Sequence, residues 1–342
     1  MSQRLTNILG FLTLFAIMGA IWVMFGEDPT RDQGARGERT FAGLEERINE
    51  VAVLQVKRDD TKITIEKSGG DWHLKERGGY LVDSDKVRAV LRGIALSARR
   101  EPKTANKSRY ARLGLGNDAL NIELRDDTSG VILDFDMGTR KDTRDGRSLT
   151  YVSQERDTRS WLVTELAETS ADAGWWLRRP VLSIDQKRFS DVIIGGAWLT
   201  RKLADENFSL QGKRADEAEA GYWVLGDLAR LVSSFTFDDV RQLANPLVEA
   251  KSVVEFSTYD GLSLKLSLYE MDGSIWAQVH AKFDATLQNE GSGGELPAAP
   301  ADGAAEAQAI MAAVRGWVFK LSETDAAILQ RTRADFLSAS ED

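Results

Sequence analysis

Apolar residues fall along this chain in three patterns, and each predicts a different kind of element. The first is a block: Ile8 to Phe25, ILGFLTLFAIMGAIWVMF, carries no charge. An α-helix rises about 1.5 Å per residue, so roughly 20 apolar residues cross the roughly 30 Å hydrocarbon core of a bilayer. The second is alternation. Leu262, Leu264, Leu266 and Leu268 alternate with Ser263, Lys265 and Ser267, which predicts an antiparallel strand with one face buried. Asp260-Gly261 before it predicts a two-residue hairpin turn. The third is a helical period, seen in Val87, Val90, Leu91 and Ile94 and again in Leu228, Leu231, Val232 and Phe235. Asp83 or Ser84 can cap the first of these helices, and Ser322 with Asp325 opens a last one through Ala326, Ile328 and Leu329. Hairpins interrupted by single helices describe an α+β fold.

The block reads as an N-terminal transmembrane helix over residues 1–26, meeting the cytoplasmic membrane through residues 5–25. A cleaved signal peptide has an apolar region of about 7–15 residues ending in a small-x-small site. Here the run is longer and closes on Trp22-Val23-Met24-Phe25, so an uncleaved anchor is expected. Arg4 and the α-amino group precede the run while Glu27 and Asp28 follow it. That bias keeps the N-terminus in the cytoplasm and exports the body, to the periplasmic side of a bacterial inner membrane. The chain has no cysteine, which excludes a lipoprotein, disulfides and thiolate chemistry.

Beyond the anchor, residues 27–40 read as a flexible stalk, charged and without apolar period. Two similar α+β repeats follow, over 41–174 and 184–338, joined at 175–183. Ile63-Thr64-Ile65 and Gly70-Asp71-Trp72-His73-Leu74 in the first match Phe208-Ser209-Leu210 and Gly221-Tyr222-Trp223-Val224-Leu225 in the second. Each pair is followed by one of the two helical periods. Then come paired hairpins, Asn121–Leu124 with Val131–Met137, and Val253–Phe256 with Leu262–Leu268. Ser160-Trp161-Leu162-Val163 matches Gly316-Trp317-Val318-Phe319. The Gly-, Ala- and Pro-rich stretch within 285–306 reads as a mobile insertion in the second repeat.

Charge narrows the partners. The net charge is −9, and the leader's one charged side chain is Arg4, so the body carries −10. Such a body is a poor ligand for nucleic acid or for anionic lipid surfaces. Chemistry is sparse. His73 and His280 stand in separate halves with no metal-ligand spacing; His280 shares a predicted polar strand face with Trp276, Gln278 and Lys282. No nucleophile elbow, Walker loop or dinucleotide fingerprint occurs, and Gly114-Leu115-Gly116 reads as a turn. Asp59-Asp60, Asp126-Asp127 and Asp238-Asp239 sit where turns or element ends are predicted, the usual place for Asp. The basic cluster Arg99, Arg100, Lys103, Lys107, Arg109 and Arg112 reads as a solvated surface after a helix end, or as a contact for an acidic partner or lipid headgroups. Trp72, Trp161, Trp223 and Trp317 are expected as core anchors, with Trp175, Trp176 and Trp198 free for a contact surface. No catalytic residue, cofactor site or metal site is assigned, and no enzyme activity is expected.

Several of these segments resemble the DUF4340 family of bacterial envelope proteins. They are the leader, Arg47-Ile48-Asn49-Glu50-Val51, Gly70–Leu74, Gly79-Tyr80-Leu81-Val82-Asp83, Tyr110–Leu115, and Tyr151-Val152 before Trp161-Leu162-Val163. The likeness covers about residues 41–250, and its motifs are fold signatures with no active-site residue among them. Members are often encoded beside ABC-type export permeases and a gliding-motility-type auxiliary protein. The resemblance therefore implies a non-enzymatic accessory subunit of an envelope transporter, with the permease and auxiliary subunits as partners. An envelope glycan- or lipid-binding module is the alternative, and a hydrolase with an unfamiliar acid–base pair is a third.

Overall fold

A computed structural model of the chain describes residues 13–18, 35–144, 146, 148–157, 159–244, 247, 249–288, 300 and 302–338. Thr13–Met18, part of the apolar block, is helical with Leu14, Phe15, Ile17 and Met18 exposed. The rest of the expected anchor lies outside the described residues, as do residues 27–34 of the stalk. Among the described residues no helix is long and apolar enough to cross a membrane. The chain divides into two compact units, Met1–Glu76 with Leu81–Trp176, and Arg77–Tyr80 with Leu177–Asp342. Both are mixed α and β, each built on one antiparallel sheet.

The first sheet begins with β1 (Val53–Arg58), β2 (Thr61–Ser68), β3 (Asp71–Leu74), β4 (Tyr80–Leu81) and β5 (Arg99–Pro102). It is completed by β6 (Leu120–Arg125), β7 (Val131–Asp142), β8 (Ser148–Ser153) and β9 (Trp161–Val163), in the order β4-β3-β2-β1-β6-β7-β8-β9-β5. Register lines apolar residues up across it: Ile65, Leu54, Leu124 and Leu133 form one row, and Ile63, Val56, Ile122 and Phe135 the next. All eight are buried, a burial worth about 1.5–3 kcal/mol per large side chain. The short helix α1 (Leu44–Arg47) precedes the sheet. Helix α2 (Ser84–Leu96) buries Val87, Val90, Leu91 and Ile94, and its cap is Asp83, whose carboxylate accepts from the amides of Asp85 and Lys86. A single turn, α3 (Ala173–Trp176), closes the unit on the fully buried Trp176.

The second sheet contains β10 (Phe189–Ile194), β11 (Ala197–Thr200), β12 (Ser209–Leu210), β13 (Asp239–Gln242) and β14 (Ser252–Thr258). With β15 (Leu262–Met271), β16 (Ser274–Phe283) and β17 (Trp317–Lys320) it runs β12-β11-β10-β14-β15-β16-β17-β13. Position by position this matches the first sheet from β3 to β5. Helix α4 (Tyr222–Ser233) stands between β12 and β13 in the chain, as α2 stands between β4 and β5. Helix α5 (Gly303–Val314) flanks β16, where the Met311 sulfur accepts the Ala281 amide at 3.1 Å. Helix α6 (Glu323–Leu329) is capped by Ser322 as expected. The largest buried charge cluster is here. Arg188, 4% exposed, spans Asp260 (3.0 and 2.5 Å) and Glu306 (2.8 and 2.7 Å).

Several expectations are corrected. Tyr222-Trp223-Val224-Leu225 is the first turn of α4, not a strand, and Trp223 is 64% exposed rather than a core anchor. The helical spacing of Leu225, Leu228, Ala229 and Val232 extends back through this segment and overrides its strand-like composition. The partner of β2 in the matching order is therefore β11, and β3 corresponds to β12. Residues 35–40 are not free stalk: Gly37 donates to Arg99 O (2.8 Å) and Thr40 to Ser97 O (2.8 Å). The ends of 285–306 are ordered too, as the 3-10 turn Ala285–Leu287 and the first turn of α5, where Glu306 meets Arg188. The loop at Asp260-Gly261 is longer than two residues, since pairing stops at Ser257↔Ser263 and the Thr258 hydroxyl accepts the Leu262 amide. Two-residue turns occur elsewhere, as at Gly195-Gly196 between Ile194 and Ala197.

Two measurements test this account of the second unit. Gly195 has φ +51°, and a Cβ there would sit 2.3 Å from Arg331 O, whereas Gly196 has φ +79° and open space around it. Gly196→Ala is expected to cost about 1 kcal/mol from conformation alone, and Gly195→Ala clearly more, by denaturant unfolding. Equal losses would refute the close approach. Tyr80 belongs to this unit, its ring edge-on to Phe237, Trp317 and Phe319. Burial pushes its phenol up to about 12, against weaker opposing effects of Arg178 and Arg179. Below pH 10 both folded and unfolded states hold the proton, so this group contributes no pH dependence. Between pH 10 and 12 the unfolded chain ionises first, and stability should fall by roughly 2–3 kcal/mol. Tyr80→Phe should remove that component of an alkaline unfolding series; an unchanged series would contradict it.

Candidate functional site

Strand β7 is twelve residues long and its neighbour β8 only six. On one side β7 pairs with β6 from Met137 to Val131. On the other, β8 pairs only from Asp142 back to Asp136, opposite Ser153. The chain then leaves the sheet in a turn through Gln154–Asp157, with the Asp157 amide on Gln154 O (3.1 Å). Val131–Phe135 is thus a strand edge open in the middle of a sheet. Backbone amides and carbonyls that point outward from such an edge have no ladder partner.

Two adjoining concavities run along this edge. One, of about 430 Å³, is lined by Val131–Asp136, Asn121 and Ser153–Arg156. The other, of about 420 Å³, shares Ile132, Leu133, Gln154 and Arg156 and is bounded by Glu38–Leu44, Arg47, Arg99 and Asp157. The cleft is acidic at one end. Asp134 and Asp136 project from the same face of β7, because side chains two apart on a strand do so. The Asn121 amide on β6 donates to both, at 2.8 and 3.1 Å. Burial raises the Asp136 carboxyl above its ordinary range, the Asn121 hydrogen bond opposes this, and the Asp134 charge adds to the rise. Burial also raises the nearby Tyr110 phenol, helped by Asp157 and Asp136.

The other end carries guanidinium groups. Arg99 binds both oxygens of Asp157, at 3.1 and 3.0 Å, and lies over the Trp161 ring at 4.7 Å. Its Nε and the Thr40 hydroxyl are buried without a hydrogen-bond partner among the described residues. Arg39 is held by Glu45 and Leu96 O, and Arg47 by Glu50. Arg156 is exposed, makes no ion pair among the described residues, and lines both concavities. The cleft offers backbone hydrogen bonds, apolar Ile132 and Leu133, a carboxylate pair at one end and the exposed Arg156 where the two concavities meet. These are the means of binding an extended chain.

The residues considered from sequence lie apart. His73 is half-buried on β3 opposite Glu66, and His280 is exposed on β16 opposite Lys265, in different units. Asp59-Asp60 forms the β1–β2 turn. Asp126 closes the β6–β7 turn, its carboxyl held low by the Thr128 hydroxyl and the Gly130 amide. Asp239 lies at an element end, opening β13, and takes the Arg77 guanidinium at 2.6 Å. Gly114 ends the 3-10 helix Lys107–Leu113 with φ +68°, as a turn residue. The basic cluster follows the end of α2, its first residues forming β5, and Arg99 alone of it lines the cleft. Trp72, Trp161 and Trp176 are buried, Trp175 and Trp317 half-buried, and Trp198 is 51% exposed. Trp276, placed on a polar face by alternation, is buried beneath the Arg241 guanidinium. Among the described residues no group of three or more His, Cys, Asp or Glu side chains is placed to hold a metal ion.

Sequence reading missed Asn121, Asp134, Asp136 and Arg156. The signal available was the mismatch between the apolar Val131-Ile132-Leu133 and the polar Gln154-Glu155-Arg156 that should have faced it. A carboxyl-resolved NMR titration should place Asp136 above ordinary aspartates and bring it down in Asp134→Asn. No movement would mean that the two carboxylates are not neighbours in solution.

No curated protein and no solved structure matches the chain. One family does, over residues 72–246, just over half of the 342. The match is shorter than the 41–250 expected, and it runs from β3 in the first unit past β13 in the second. By that match the chain belongs to the family described as a domain of unknown function (DUF4340).

Proposed function

We propose that this protein is a non-enzymatic accessory subunit, anchored in the bacterial inner membrane by its leader, whose periplasmic body binds partner proteins. The observation that carries the binding role is the open edge of β7. A strand edge flanked by a cleft and left unpaired inside a sheet accepts an extended segment of another chain by main-chain hydrogen bonding. The carboxylate pair at one end of the cleft and Arg156 at its middle would set the direction of that segment. An enzymatic role would rest on Asp134 and Asp136, the two carboxylates that meet in the cleft, and neither His73 nor His280 lines it beside them. The uncharged block Ile8–Phe25 supports the membrane anchor, and the charge pattern around it supports export. The shared strand order of the two sheets supports an internal duplication. Family resemblance supports an ABC-type export or gliding-motility-type permease and its auxiliary subunit as the partners.

A second reading, an envelope glycan-binding module, is favoured by one observation. Trp198 and Ile193 are exposed side by side on β11 and β10, in a cross-strand row with Glu255, Lys265 and His280. An exposed indole beside polar side chains suits a sugar ring.

The absence of native cysteine makes the test direct. A photocrosslinker on Ile132→Cys should capture a permease or auxiliary subunit from solubilised native membranes, while the same probe on Lys265→Cys should not. Capture of neither subunit from Ile132→Cys would overturn the β7 reading. Capture of glycan fragments from Lys265→Cys would favour the second.

A further inference from the structure

The described body begins at Ala35, and Gly37 two residues on borders a third concavity. Gly37 donates to Arg99 O at 2.8 Å and Arg39 bridges to Ala98, so the segment lies along the N-terminal end of β5. Beside it is a depression of about 610 Å³, lined by Gly37, Ala98, Arg100, Arg140 and the Thr164–Ala167 segment. Arg36, Arg100 and Arg140 are all exposed. Arg36 and Arg100 make no ion pair among the described residues. Arg140 is partly compensated, with Asp142 at 3.7 Å and Leu166 O at 3.4 Å, and Glu165 also borders the depression. Of the neighbouring basic residues, Arg99 is taken by Asp157 and Lys103 by Glu101. Within the basic cluster Arg99 and Lys103 are thus spent, while Arg100 is not and lies on the same face as Arg36 at the start of the described body.

We infer that this face of the first unit, around Arg36, Arg100 and Arg140, binds the phosphate headgroups of anionic lipids in the bilayer that holds the anchor. The inference rests on the proposed anchor and extends it. Nine residues, 26–34, separate the apolar block from Ala35. At no more than about 3.6 Å each they let Ala35 stray only about 30 Å from the membrane surface. A tether that short holds the patch at high effective concentration against headgroups, so weak contacts suffice. Arginine forks match phosphate oxygens in pairs. The remainder of the body carries net negative charge and is repelled by the same surface, which turns the cationic face toward it. An acidic protein partner would use similar chemistry, but nothing tethers such a partner at this point.

The test uses the full-length chain in lipid nanodiscs of phosphatidylcholine alone or with phosphatidylglycerol, read by hydrogen exchange. Amides around Ala98–Arg100 and Arg140–Ser148 should exchange about fivefold more slowly in the anionic discs, the factor one basic side chain near an anionic surface supplies. The difference should disappear at high salt and in Arg100→Gln with Arg140→Gln, while exchange in α2 and the β1–β6 core of the same unit stays as before, showing that the variant is folded. Equal exchange in both discs, with the chain resisting carbonate extraction, overturns the headgroup site and leaves the anchor standing. Extraction by carbonate removes the anchor reading and this site with it.

Discussion

Each unit depends on a sheet whose central strands are apolar on one face. In β15 the even-numbered leucines are at most 1% exposed while Lys265 between them is in water, and register repeats that division across neighbouring strands. A slip of one residue would turn every one of those side chains outward, so the hydrophobic pattern fixes register as well as fold. The helices follow from the same constraint: α2 and α4 bring amphipathic stripes, each with a run of buried residues at helical spacing.

A sheet satisfied through its faces still has edges to manage, and this protein manages most of them. Helix α5 meets β16 beyond its short pairing with β17, with Met311 taking an amide of the strand. Residues 37–40 lie along β5. The charge cluster of Arg188 ties the β14–β15 loop to the start of α5, with Asp260 and Glu306 from distant parts of the chain on one guanidinium. Removing that arginine would leave two carboxylates without their cation in a largely dry site. Against this background the uncovered length of β7 stands out, because long strand edges are normally paired, covered or blunted by charge.

Much of the fold was legible in the chain, and the reason is periodicity. The alternation in β15, the helical spacing in α2, the caps at Asp83 and Ser322 and the matching hairpins β6–β7 and β14–β15 are local signals, and each was found where it was read. Tyr222-Trp223-Val224 was misread because strand-forming side chains occupy the exposed first turn of a helix whose buried positions come later. The ordered stretch 35–40 was missed because its bonds go to residues sixty positions away. The cleft was illegible for a related reason. It is a difference in length between two paired strands, and no window on one of them contains it.

Arg77–Tyr80 has a further consequence for how the molecule is made and taken apart. These four residues are synthesised with the first half but belong to the second unit, where Arg77 bonds Asp239 and Tyr80 meets Phe237 and Trp317. During translation they emerge more than 150 residues before Trp317. The second unit therefore completes only after the chain has threaded back to an early segment. A protease or a cloning boundary at Leu177 would yield fragments that each lack, or carry orphaned, a piece of the other's core.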